Sequence, residues 1–101
     1  MKNFKCYQMA IVQYKAVRKQ KYPRYVKDQV ERAALSVCLN LAEGSGKTSE
    51  RDRRRFYEIA LGSQREVQAV FEAIDNQSLG READKLAGGL FNLVRVLASR
   101  G

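Results

Sequence analysis

The string Gly44-Ser45-Gly46-Lys47-Thr48 is where phosphate chemistry would first be sought, because it looks like the end of a P-loop. In that motif a glycine-rich backbone wraps phosphates and a lysine reaches them, which requires G-x-x-x-x-G-K-[ST] directly after a strand. Here Leu41 stands where the first glycine should be, and an amphipathic helical pattern precedes the loop. Nucleotide hydrolysis is therefore not expected. What remains is a loop whose free N–H groups, beside Lys47, can hold an anion. Asn40 and Glu43 lie just before it, but Glu43 has no second carboxylate or activated nucleophile to work with. The pair is expected to hydrogen-bond the loop and the adjacent helix start, since polar groups near a core need partners. The chain has no histidine, which removes the commonest general base and metal ligand together. Cys6 and Cys38 are too few and too far apart for a disulfide framework or a metal knuckle, and read as free thiols, buried or half-buried. No catalytic residue, metal or cofactor is predicted, and the chain does not read as an enzyme.

Binding is the stronger expectation. The formal charge is +8 on 101 residues, and a surface of that sign attracts phosphates and releases their counterions. The charge is uneven. Residues 1–30 hold eight Lys and Arg against one acidic residue, and residues 47–65 hold six against three, whereas the last third is nearly neutral. Candidate phosphate contacts are Lys15, Arg18, Lys19, Lys21 and Arg24 in the first region, and Lys47, Arg51, Arg54, Arg55 and Arg65 in the second. On a helical wheel Arg51, Arg54 and Arg65 point outward, with Glu58 among them, while Arg53 lies nearer the core side. A solvated, partly paired helix face is the bland alternative. Against it stand like charges four apart, Arg51 with Arg55 and Lys15 with Lys19, which repel in the free protein. Tyr22 and Tyr25 lie among Lys21, Arg24 and Lys27, where they can stack on bases.

The elements that must position these residues are helical. Phe4, Tyr7, Ile11 and Tyr14 form a first stripe that decays before Pro23. Val26, Val30, Ala33, Ala34, Val37, Cys38 and Leu41 form a second, ending near Gly44, which is read as the left-handed residue past a helix end. Thr48 or Ser49 can cap a third helix, with Glu50 and Asp52 in its first turn. Its core stripe is read as Phe56, Ile59, Ala60, Ser63, Val67, Val70, Phe71 and Ile74, reaching roughly Asn76. Leu79, Ala83, Leu86, Leu90, Leu93, Val94 and Leu97 make a fourth, in which Gly88-Gly89 marks either a kink or a close helix contact. The predicted fold is all-α, one domain over 1–101, an up-down-up-down antiparallel four-helix bundle. Leu35 and Leu39 on the second helix, and Tyr57 and Leu61 on the third, fall off the main stripes at i, i+4. They predict a second apolar face for self-association. No stretch approaches about 18 consecutive apolar residues and no apolar signal core follows Met1-Lys2-Asn3, so a cytoplasmic location is expected.

Two segments also resemble a known family. They are Gln29-x-x-Arg32-Ala33-Ala34-x-Ser36-x-x-x-Asn40-x-Ala42-Glu43-Gly44-x-Gly46 and Phe56-x-x-Ile59-Ala60-Leu61-Gly62-Ser63-x-x-Glu66. The sequence is similar to the four-helix-bundle proteins encoded in intervening sequences of bacterial 23S ribosomal RNA genes. That group includes the accessory variability determinants of diversity-generating retroelements. Tyr7-Gln8-Met9-Ala10 resembles the family's W-Q-x-A, with tyrosine for tryptophan, and Cys38 stands where many members have proline. The resemblance, over Phe4 to about Ile74, implies a homopentamer with a basic surface and a central channel. For accessory members it implies binding of RNA or DNA and of a reverse transcriptase; members encoded in rRNA genes have no established activity. No family catalytic residue carries over, and Asn40, Glu43, Gly44, Gly46, Gly62 and Ser63 are the positions that carry the motif.

Overall fold

Pro23 lacks the N–H that a continuing helix would need, and it divides the first two of four helices. A computed structural model describes residues 2–100, and their side chains from Phe4 to Ser99. The helices are α1 (Lys2–Lys19), α2 (Arg24–Ser45), α3 (Glu50–Ala73) and α4 (Gln77–Arg100), with no strand among the described residues. Each of α1 and α3 packs against both α2 and α4, giving a bundle 42 × 19 × 19 Å across.

Local chemistry sets the helix ends. Ser49 caps α3, its Oγ accepting from the Asp52 N–H at 3.1 Å, and Glu50 and Asp52 occupy the first turn. The α3–α4 turn was not visible in the pattern. Asp75 adopts the left-handed conformation at φ 58°, which lets the Asn76 N–H reach back to the Phe71 carbonyl at 2.9 Å. Asn76 then starts α4, its Oδ1 accepting from the Leu79 N–H at 3.1 Å.

Gly44 departs from the expected role. It lies inside α2 with an ordinary helical backbone, and no described glycine has a positive φ. Its importance is spatial, because a Cβ there would lie 2.7 Å from Tyr57 Cε1. α4 runs unbroken through Gly88-Gly89, and of the two readings for this pair the close contact holds: a Cβ on Gly89 would meet Cys6 Sγ at 2.9 Å.

The core divides into two apolar groups. Cys6, Ala10, Val37, Cys38, Leu41, Tyr57, Ala60, Leu86, Leu90 and Leu97 form one, and Val17, Val30, Ala33, Ala34, Val67, Phe71 and Ala83 the other. Between them Gln64 is fully buried on α3. Its amide exchanges two 2.8 Å hydrogen bonds with Gln13 of α1, and its Nε2 also donates to the Ala83 carbonyl at 3.1 Å. The buried amide is thus partnered, as the low dielectric requires.

This polar pair corrects the expected face of α3. The buried side is Tyr57, Ala60, Gln64, Val67 and Phe71, whereas Ile59 is 45% exposed. Tyr57, predicted to serve self-association, is only 2% exposed and belongs to the chain's own core. Leu61 packs half-buried against the same group. Leu35 and Leu39, at 38% and 60% exposure, remain open to solvent. Ser63 meets α2 instead of lining the core, sharing a 2.7 Å hydrogen bond with Ser36.

Candidate nucleic-acid interface

Arg24 opens α2 directly after Pro23, and α1 ends at Lys19, so Lys15, Arg18, Lys19, Lys21 and Arg24 crowd around one short connection. All five are exposed, and no acidic residue lies between positions 15 and 24. The connection is pinned from two sides. Lys27 Nζ donates to the Arg18 carbonyl at 2.9 Å and to the Gln20 carbonyl at 3.3 Å, where a cation complements the free carbonyls at the end of α1. Tyr22 packs against the core and its hydroxyl accepts from Asn76 Nδ2 at 3.4 Å. Burial pushes the Tyr22 hydroxyl above its ordinary pKa, and the Asn76 contact draws it partly back. Lys27 is also tied to Glu31 at 3.3 Å, which makes it an anchor of the loop.

The second basic region lies elsewhere. Arg51, Arg54 and Arg55 sit in the first turns of α3, while the Tyr22–Asn76 contact places the α1–α2 connection just beyond the other end of α3. The two regions thus lie towards opposite ends of α3, whose twenty-four residues at about 1.5 Å each span about 36 Å. Arg65, exposed in the middle of α3, joins neither group. The ten candidate cations therefore form no single patch within one chain.

Their environments also differ. Arg51, Arg54 and Arg55 share a groove with Glu50, Asp52, Glu58 and Leu97, so the charges there offset one another. Arg54 Nε lies 3.5 Å from Glu58, and Lys47 Nζ 3.5 Å from Glu43. Lys47 and Arg55 each stand 5.1 Å from the centre of the Phe56 ring, a distance at which cation and ring attract. Arg53, which the wheel placed near the core, donates from Nη2 to the Lys47 carbonyl at 2.9 Å and fixes the α2–α3 loop. Its Nε is buried without a partner among the described residues.

The P-loop-like string has a different use in the fold. The N–H groups of Gly46 and Lys47 bond the carbonyls of Glu43 and Gly44 at 3.2 Å, so they close α2 and do not converge on a ligand. Glu43 pairs with Lys47 as a loop contact, but Asn40 does not reach the loop. Its Nδ2 donates to Ser36 Oγ at 3.1 Å and to the Ser36 carbonyl at 2.9 Å, one turn back within α2. Gly62 lies on the open side of α3, where a Cβ would meet nothing within 4 Å. Cys6 and Cys38 are free and buried. Desolvation raises both thiols, that of Cys38 from 9.0 to about 11, which keeps them in the unreactive protonated form. No helix among the described residues is long and apolar enough to cross a membrane.

Fold and surface define a four-helix bundle with exposed cations clustered at the α1–α2 connection. The family model described as 23S rRNA-intervening sequence protein matches residues 2–98. The chain belongs to that family. No curated protein and no solved structure matched it.

Proposed function

We propose that the protein is a non-catalytic, homo-oligomeric nucleic-acid-binding protein of the 23S rRNA-intervening sequence family. In a retroelement setting its partners would be template RNA or DNA and a reverse transcriptase. The observation that carries this reading is the α1–α2 end, where five exposed cations stand with no carboxylate between positions 15 and 24. Such a cluster gains most by neutralising phosphates and releasing their counterions. Contacts such as Ser36 with Ser63 and Gly44 beside Tyr57, whose positions run in opposite order along α2 and α3, support the up-and-down arrangement. Leu35, Leu39 and Ile59, exposed on α2 and α3, support self-association. In the pentamer that the family resemblance implies, five copies of a +8 chain would carry +40 formal charges, and the basic ends of neighbouring chains would share one particle.

A scaffold that docks an acidic protein is the second reading, favoured by the groove at the start of α3. Its mixture of three arginines, three carboxylates and Leu97 suits a protein surface better than a phosphate backbone. Titrating a structured RNA by fluorescence anisotropy, with circular dichroism as folding control, separates the two. Changing Lys19, Lys21 and Arg24 to Gln should weaken binding for all sequences alike and flatten the salt dependence by about one unit of slope per lost contact. Changing Arg51, Arg54 and Arg65 to Gln should act more weakly, because Glu58 already offsets Arg54. Two folded variants that both bind RNA as tightly as the unaltered protein would move the scaffold reading ahead.

A further inference from the structure

Tyr25 is 78% exposed, more than any other large hydrophobic side chain among the described residues. It stands one residue past Arg24 in the first turn of α2, directly after a connection that carries the exposed Lys21 and that Lys27 and Tyr22 hold in place. The other aromatic rings near cations are already engaged. Phe56 has Lys47 and Arg55 against it at 5.1 Å each, and Tyr14 has Arg18 at 5.8 Å. Tyr22, which shared the sequence cluster, is turned inward onto the core. No cation lies over the Tyr25 ring among the described residues, so its faces are open to a flat partner.

We propose that Tyr25 is a stacking platform for an unpaired nucleobase, with Lys21 and Arg24 taking the adjoining phosphates, so that this end of the bundle binds single-stranded nucleic acid. The inference rests on the nucleic-acid reading above and adds the class of ligand. A base within a duplex is already stacked on its neighbours and offers no free face, whereas an unpaired base can lie on an aromatic ring while cations follow the backbone. Stacking accepts any base, so binding at Tyr25 should vary little with sequence.

The test uses the full-length protein, an unstructured oligoribonucleotide of about a dozen nucleotides and a blunt RNA duplex of the same length, followed by anisotropy at several salt concentrations. Tyr25→Ala should weaken single-strand binding by about tenfold at every salt concentration and leave the salt slope unchanged, because stacking displaces no counterions. Tyr25→Phe should bind as the unaltered protein does, and duplex binding should not respond to either change. Lys21→Gln with Arg24→Gln should instead flatten the slope. The proposal is overturned if Tyr25→Ala binds the single strand undiminished, or if it weakens the duplex by the same factor. Binding of neither strand by the unaltered protein would defeat the nucleic-acid reading itself, whereas single-strand binding indifferent to Tyr25 would defeat only this site.

Discussion

Gly44 and Gly62 sit in the two segments that carry the family resemblance, yet the structure predicts opposite responses to the same substitution. At Gly44 an alanine Cβ would press to 2.7 Å from Tyr57, a ring that is itself buried. Gly44→Ala should therefore destabilise the fold by about 1–3 kcal/mol, as overpacking does. At Gly62 nothing lies within 4 Å and the helix is open to solvent, so Gly62→Ala should stabilise by roughly 0.5–1 kcal/mol. Urea denaturation of the two variants reads both signs. The cysteines make a second prediction at this scale. Burial lifts the Cys38 thiol from 9.0 to about 11. As pH climbs past 9.0 the unfolded chain gives up its proton first and the native state holds more, so stability falls between pH 9 and 11. The urea midpoint should drop more from pH 8 to pH 10 for the unaltered protein than for Cys38→Ala. Equal drops would contradict the assignment. Free, buried thiols were legible from number and spacing alone, whereas the true part played by Gly44 was not. A glycine at a helix end reads as a cap until the ring that crowds it is known.

The break before α2 and the start of α3 followed from a breaker and a cap, but the α3–α4 turn and the helix faces followed less well. Ser49, Glu50 and Asp52 announce the start of α3, and Pro23 the gap before α2. The α3 stripe was rotated because hydrophobicity favours Ile59 over Gln64, and only a partner on another helix makes a glutamine an inward residue. Gln13 is that partner, 51 positions away. Gln13→Ala should cost about 1–3 kcal/mol by leaving the buried Gln64 amide short of bonds. Replacing both glutamines by leucine should recover much of that loss, since an apolar pair of similar volume leaves no amide unsatisfied. A double-mutant cycle in urea checks the coupling, and additive losses would contradict it. The same rotation explains Tyr57, which looked like a residue of a second face and is part of the first. Self-association then falls to Leu35, Leu39 and Ile59, and Leu39→Glu should lower the native mass measured by light scattering without loss of helix. A native mass unchanged by this substitution would remove that face from the account.

At the scale of the whole molecule, the sequence divides the positive charge into two regions, and the fold sets where they lie relative to one another. Lys47 and Arg51 form one group in the sequence and Lys15 and Lys19 another, and the fold holds these groups towards opposite ends of α3, a helix about 36 Å long. Carboxylates within a turn of Arg51 and Arg54 offset one end, while at the α1–α2 end the nearest in sequence is Asp28, one turn past Arg24. If this end works by neutralising phosphates, RNA binding by the unaltered protein must depend steeply on salt. If four or five of Lys15, Arg18, Lys19, Lys21 and Arg24 contact a single strand, the logarithm of the association constant should fall linearly with the logarithm of salt concentration, at a slope of about −3. A slope near zero, or no binding even at low salt, would contradict the account.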